Sequence, residues 1–265
     1  QQRIAADVER RHALTVDAGS QITIAVGATE AIFSAILALV GQGDEVIVFD
    51  PAYDSYDPAV RLAGARCVHV PLLPPAFRFD WDRIRTAVTP HTRMIIVNSP
   101  QNPCCTVMSR HDLQELARLA EERDLIVLSD EVYEHLVYDG AEHCSVLSDP
   151  ALASRSLAVY SFGKTLHATG LRVGYCIAPA TLTTELRRVH QFNTFTIATA
   201  LQHAVAAYLG EKPDVFAELA PFFAAKRRLL TEGLADSVLR VLPSQGTYFT
   251  LVDYSASQVL GALDD

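Results

Sequence analysis

A lysine set between a glycine and a threonine ends the apolar run LAVYSFGKT, residues 157–165. Standing alone, a lysine at a strand end is an ordinary solvated charge. Three chemistries that its neighbourhood could suggest fail on spacing. GKT resembles the end of a P-loop, but Ala158 occupies the position where that motif needs its first glycine. Gly41 and Gly43 make a GxG without the third glycine, and the turn leads into a strand instead of a helix. DEVYEH, residues 130–135, offers carboxylates and a histidine without HExxH or a paired histidine, so no metal is expected.

What remains is a set of polar residues at the ends of predicted strands: Gly27, Ala28 and Thr29, then Tyr53, Asn102, Asp130 with Tyr133, Ser161, Lys164 and Arg172. Open α/β sheets bind their ligands at the carboxyl ends of their parallel strands. The elements that would put these residues there are legible. Ile22–Val26 is β-rich and runs into GATEAIFSAILALVGQG, whose apolar spacing is helical and whose glycines stop the helix. Further strands are expected at 45–49, 66–70, 94–97, 125–128, 157–160 and 173–177, with a helix at 56–62 and another capped by Ser109 with Asp112 three residues on. Two long helical patterns follow, at 183–208 and 215–234, and 240–254 is strand-like again. PLLPPAF, within 71–79, suits an extended loop. Strands alternating with helices predict an α/β fold whose mostly parallel sheet is covered on both faces.

Composition narrows the partners. The 265 residues are 49% hydrophobic and 20% charged, with a formal charge of -9, which suits neither a nucleic acid nor an anionic membrane. The longest apolar run, 31–40, is too short to cross a bilayer. Five cysteines without CxxC spacing suggest neither a zinc site nor a disulfide framework, and fit a reducing cytoplasm. QQRIAADVERR reads as a helix entered midway and LVDYSASQVLGALDD stops inside a possible amphipathic helix, so a longer parent chain is expected.

GATEA, DPAYDSY, NSPQNP, SDEVY, SFGKT and an arginine eight residues past the lysine resemble, in order and spacing, the fold-type I pyridoxal-phosphate aminotransferases, and most of all their methionine and kynurenine branch. The resemblance runs from about Ile22 to the end of the chain. It implies a large cofactor domain over 1–212, a linking helix with part of a small C-terminal domain over 213–265, and a homodimer.

It also implies roles. Lys164 would bond covalently to the cofactor aldehyde and then move a proton between substrate Cα and cofactor. Asp130 would pair with the pyridine nitrogen, Tyr133 and Asn102 would hydrogen-bond the phenolic oxygen, and Tyr53 would stack on the ring. Gly27, Ala28, Thr29, Ser161 and Arg172 would hold the phosphate.

The implied reaction is ping-pong transfer of an amino group from an L-amino acid, of methionine or aromatic type, to a 2-oxo acid. A cysteine-conjugate β-lyase on the same cofactor, a non-catalytic cofactor-sensing domain and an inactive fragment are the alternatives. The family's arginine for the substrate carboxylate lies in its small domain, and no lysine or arginine follows Arg240 here. Cys104 and Cys105 form a vicinal pair expected to be buried, His167 is either a pocket residue or a structural histidine, and His143 sits on a polar loop with no catalytic role expected. Gly246, Thr247 and Tyr248 are pocket candidates only.

Overall fold

In the computed structural model of the chain, residues 1–212 and 214–257 are described. The order of elements is α1 (Gln2–His12), β1 (Ile22–Ala25), α2 (Gly27–Leu39), β2 (Glu45–Asp50), α3 (Tyr56–Leu62), β3 (Arg66–Pro71), α4 (Trp81–Ala87), β4 (Thr92–Asn98), α5 (Arg110–Glu122), β5 (Ile126–Asp130) and α6 (Pro150–Ala153). After them come β6 (Ser156–Ser161), α7 (Phe162–Thr165), β7 (Gly174–Ile177), α8 (Ala180–Asn193), α9 (Thr199–Glu211), α10 (Leu219–Gly233), β8 (Arg240–Val241) and β9 (Val252–Asp253).

Seven strands form one sheet in the order β1-β7-β6-β5-β4-β2-β3, parallel except that β7 runs against both β6 and β1. The interior strands are buried on both faces, which is why they read as continuous apolar runs. Their side chains nevertheless alternate between two cores. Ile47, Ile95, Val97, Val127 and Ala158 join Ile4 and Val8 of α1, Ile84 of α4 and Leu116 of α5. Val46, Val48, Ile96, Leu128 and Val159 face the other way, against Ile32 and Ile36 of α2, Tyr56 and Val60 of α3 and Leu186 of α8. The period of two along each strand thus sorts one hydrophobic sequence into two helix-covered layers.

Local signals set several element ends. Ser109 accepts from the Asp112 N–H and Asp112 returns a bond to Ser109, the expected capping box of α5. Asp80 caps α4 in the same sense, a helix that the sequence reading passed over. The 183–208 pattern is two helices, not one: Thr194–Ala198 breaks it, with Phe195 at φ 69°. The second long pattern begins its helix at Leu219 instead of Val215. The strand-like tail reduces to a two-residue antiparallel pair of β8 and β9, and the possible amphipathic helix at its end, residues 258–265, lies outside the described residues. Among the described residues, no helix is long and apolar enough to cross a membrane.

Candidate active site

The carboxyl ends of β4, β5 and β6 lie side by side, with Asn98 opposite Asp130 and Asp130 opposite Val159. The segments that follow these strands, with the start of α2 and Tyr53, line a cleft of about 390 Å³. Ala28, Thr29, Tyr53, Asn102, Asp130, Tyr133, Ser161, Lys164 and Arg172 all line it. The expected site residues, contributed by six separate stretches of sequence, therefore converge on one cavity. Gly27 stands at its edge beneath Arg172.

Asp130 is the most constrained of them. It ends β5 with only 4% of its surface exposed. Burial pushes its carboxyl up to about 6, against the pull of two hydrogen bonds that favour the anion. The Tyr56 hydroxyl donates to Oδ2 at 2.7 Å, and the Val132 N–H approaches Oδ1 at 3.3 Å. Its backbone carbonyl accepts from Asn98 Nδ2 at 2.8 Å, while Asn98 Oδ1 accepts from the Asn102 N–H at 2.7 Å. Asn98 therefore ties the Asn102 loop to the end of β5. The sequence reading did not single out Tyr56 or Asn98, although both stand inside motifs it quoted, DPAYDSY and NSPQNP.

Lys164 sits on α7, one turn of helix that follows β6 directly. Its Nζ lies 5.9 Å from the ring centres of both Tyr133 and Tyr248, a half-buried amine facing aromatic walls. Tyr133 donates to the Tyr248 hydroxyl at 3.4 Å. Burial, then that bond, drives the Tyr133 phenol far above its ordinary range. Tyr248 thus reaches the site, carried by a segment whose Gly246 admits no side chain: a Cβ there would meet the Leu136 carbonyl at 2.7 Å.

An anion cradle forms where β7 meets α2. Val26 provides no side-chain cap, so the first N–H groups of α2 remain available, and the helix dipole adds to their pull on an anion. Gly27 has φ +75°, and a Cβ on it would meet the Arg172 guanidinium at 2.7 Å. Gly174, paired with Ala25, would likewise drive a Cβ to within 2.7 Å of the Ala28 nitrogen. Two glycines thus let Arg172 and the antiparallel strand close on the helix start. Thr29 Oγ1 lies 3.3 Å from the Tyr53 hydroxyl, joining the cradle to the aromatic wall.

Under this floor lies a network that the sequence reading missed. Glu131 Oε2 is 2.9 Å from His143 Nε2 and accepts from Tyr160 at 2.9 Å; Oε1 accepts from Ser129 and from the Val146 N–H. Burial opposes the charge of Glu131, yet His143 and the donors around it hold the carboxyl down to about 2. His143, expected to do nothing catalytic, is a structural partner of Glu131, with 8% of its side chain exposed. Glu134, also buried, is gripped by Arg11 of α1. DEVYEH therefore divides: Asp130 and Tyr133 face the cleft, while Glu131 and Glu134 fasten the turn from behind. Cys104 and Cys105 are buried as expected, and the Cys105 carbonyl receives the Gln245 and Gly246 N–H groups. His167 is exposed beside Phe222 and Phe223, away from the cleft lining.

A sequence-family model described as aminotransferase class I and II matches residues 1–263. The chain is 46% identical over 262 residues to a methionine aminotransferase of Escherichia coli, covering 99% of this chain and 67% of that protein. It is 35% identical over 258 residues to kynurenine–oxoglutarate transaminase 1 of Mus musculus, covering 91% and 61%. A solved Escherichia coli structure with a methionine aminotransferase function superposes with a TM-score of 0.95, at 46% identity, over 97% of this chain and 68% of that one. N-succinyldiaminopimelate aminotransferase of Mycobacterium tuberculosis superposes with a TM-score of 0.90 at 39% identity, over 93% and 65%. The chain thus spans about two thirds of the length of these relatives. The match extends across both helical layers and the whole sheet that builds the cleft: the chain belongs to the class I and II aminotransferases.

Proposed function

We propose that this chain forms the cofactor-binding part of a pyridoxal-phosphate-dependent aminotransferase that moves an amino group from an L-amino acid to a 2-oxo acid. The observation that carries the reading is the placement of Lys164 and Asp130 on neighbouring strand ends of one cleft whose far side is an anion cradle. The residues present fit the group. Asp130, buried with its charge uncompensated enough to rise to about 6, suits a protonated ring nitrogen, and the Gly27–Arg172 approach suits a phosphate.

When bound, pyridoxal phosphate supplies an aldehyde that condenses with amines and a ring that withdraws electrons from the substrate Cα. The chain's own residues do the rest. Lys164 Nζ would be the amine that holds the aldehyde and, when free, the base that would carry the proton to and from Cα. Asp130 holds the ring nitrogen protonated, and the Tyr56 hydroxyl fixes the carboxylate that does so. Tyr133, Asn102 and Tyr53 line the cleft, where the Tyr133 hydroxyl and the Asn102 amide would donate to the phenolic oxygen and Tyr53 would pack against the ring. Arg172, Ser161 and the N–H groups of Ala28 and Thr29 hold the phosphate.

Methionine and aromatic donors, kynurenine among them, are the favoured substrates, supported by the names of the relatives and by the Tyr133–Tyr248–Phe249 wall beside Lys164. The division at residue 212 into a large cofactor domain and a linking helix with part of a smaller one agrees with the position of the small β8–β9 pair beyond α10. A homodimer is proposed as well, supported by two exposed aromatic side chains, Phe192 near the end of α8 and Phe195 just beyond it, 88% and 74% exposed. A cytoplasmic setting is supported by five buried cysteines in the free thiol form. The test is a panel of amino donors and 2-oxo acceptors supplied to the full-length protein. Conversion of methionine or kynurenine to its 2-oxo acid, dependent on an acceptor, is expected; failure with every donor would overturn the reading, and pyruvate with ammonia released without an acceptor would favour the β-lyase.

A further inference from the structure

Away from the cleft, at the open edge of the sheet, Asp57 of α3 meets Cys67 and His69 of β3. Cys67 and His69 are two residues apart on one strand, so both side chains stand on the face against which α3 packs. One ligand atom from each of the three residues lies within 4.8 Å of the other two. Asp57 Oδ1 is shielded from solvent and completes no hydrogen bond; His69 Nε2 stands 3.5 Å from it. His69 Nδ1 faces the Asp50 carboxylate at 3.0 Å.

We propose that Asp57, Cys67 and His69 form a zinc-binding site, with water in the fourth position and Asp50 orienting the histidine. The donor set, one thiolate, one imidazole and one carboxylate, is of the kind that zinc selects. Bond lengths of about 2.0–2.3 Å place tetrahedral ligand atoms roughly 3.3–3.8 Å apart. The 3.5 Å separation of His69 Nε2 from Asp57 Oδ1 already lies in that range, and with all three ligand atoms within 4.8 Å of one another the thiol has at most about an ångström to travel. Asp50 accepting from Nδ1 fixes the tautomer that leaves Nε2 free to bind, the carboxylate–histidine arrangement that commonly supports zinc.

Charge also balances. Asp50, Asp57 and the Cys67 thiolate bring three negative charges and Arg61, 2.7 Å from Asp57 Oδ2, brings one positive, so a divalent cation neutralises the group. Binding forms the sulfur–metal bond and releases the Cys67 proton to solvent. Because only the thiolate binds, metal competes with a proton for Cys67 and binding should weaken at acid pH. The three ligands come from a helix and a strand separated by a turn, which is why no cysteine spacing announced them. The site would clamp α3 to the edge strand one residue beyond Tyr56, and it is independent of the reading of the cleft.

The test uses the full chain, stripped with a chelator and free of pyridoxal phosphate, titrated with Zn2+ against a chromophoric chelator and separately with Co2+. One equivalent of metal, one proton released, and a near-ultraviolet thiolate-to-cobalt absorption band are expected. Cys67→Ser should abolish the band and weaken zinc binding at least about a hundredfold; Asp50→Asn should weaken it roughly 10–100-fold. His69→Ala, at a half-exposed position that tolerates truncation, guards against a misfolded cysteine variant and should also weaken binding at least about tenfold. The proposal is overturned if the His69→Ala chain binds zinc as tightly as the parent, if cobalt gives no thiolate band, or if the stripped chain takes up no metal.

Discussion

The Tyr56 hydroxyl donates a 2.7 Å hydrogen bond to Asp130 Oδ2, across 74 residues of sequence and between the first turn of one helix and the end of a central strand. Both groups are buried, and each accounts for the state of the other. Burial, then the carboxylate, raise the phenol well above its ordinary range, while the phenol restrains a carboxyl that burial would lift further. Tyr56→Phe keeps the ring's packing and removes the donor. Since a hydrogen bond to a charged group contributes about 1.5–3 kcal/mol, the variant should bind pyridoxal phosphate roughly 10–100-fold more weakly. Its Asp130 should also titrate higher. A cofactor titration by absorbance, repeated across pH, reads both effects, and unchanged affinity would show the bond to be incidental.

Asp130 gives the chain a stability that depends on pH in an unusual direction for a carboxylate. Its folded value of about 6 lies above the ordinary 3.8, so the folded chain keeps a proton that the unfolded chain has released. Its contribution is therefore greatest below pH 3.8 and declines as pH rises through about 6, by about 3 kcal/mol in total. Asp130→Asn, free of cofactor, should be more stable than the parent at pH 7 by up to that amount, with the difference vanishing near pH 4. The same variant should lose cofactor, the familiar exchange of stability for function at a strained site. Denaturant unfolding at the two pH values checks it.

Glu131 works in the opposite sense. Its folded carboxyl, at about 2, lies below the ordinary 4.5 because His143 and the surrounding donors outweigh burial. Its stabilisation is thus fully present above pH 4.5 and lost as pH falls towards 2, again about 3 kcal/mol in all. Glu131→Gln should be destabilised at pH 7 by about that much, and the gap between variant and parent should close on acidification. Acid-unfolding curves of the two chains, recorded together, are the measurement.

How far the sequence announced these features depends on the kind of signal. The strands and the first helices were legible because the apolar runs were short, bounded by glycine or proline, and alternated with helical spacing. The convergence of the candidate site residues on one cleft was legible because they stand at or just beyond strand ends, where side chains of different strands meet, and because their motifs follow one another in a recognisable order. Tyr56, Asn98 and the Glu131–His143 pair were not, since each acts through a partner far away in the chain and local patterning carries no trace of a pairing. The break at Thr194–Ala198 was hidden for a related reason: apolar spacing continues across it, and only tertiary packing turns the chain there.

Gly27 tests the anion cradle without removing any charged group. With φ +75° and 2.7 Å between a Cβ and Arg172, Gly27→Ala should strain the backbone by about 1–2 kcal/mol and push the guanidinium aside. Binding of pyridoxal phosphate should weaken more than binding of pyridoxal, which has no phosphate to hold. Equal losses for the two ligands would place the phosphate elsewhere.

The central claim is that Lys164 is the residue that bonds to the cofactor. The chain has three lysines, Lys164, Lys212 and Lys226, and the latter two are exposed while Lys164 lies in the cleft. Incubation with pyridoxal phosphate, reduction with borohydride and peptide mapping by mass spectrometry distinguishes them directly. A pyridoxyl group on Lys164, and not on the two exposed lysines, is the predicted result. An unmodified Lys164 in a chain that circular dichroism shows to be folded would contradict the account.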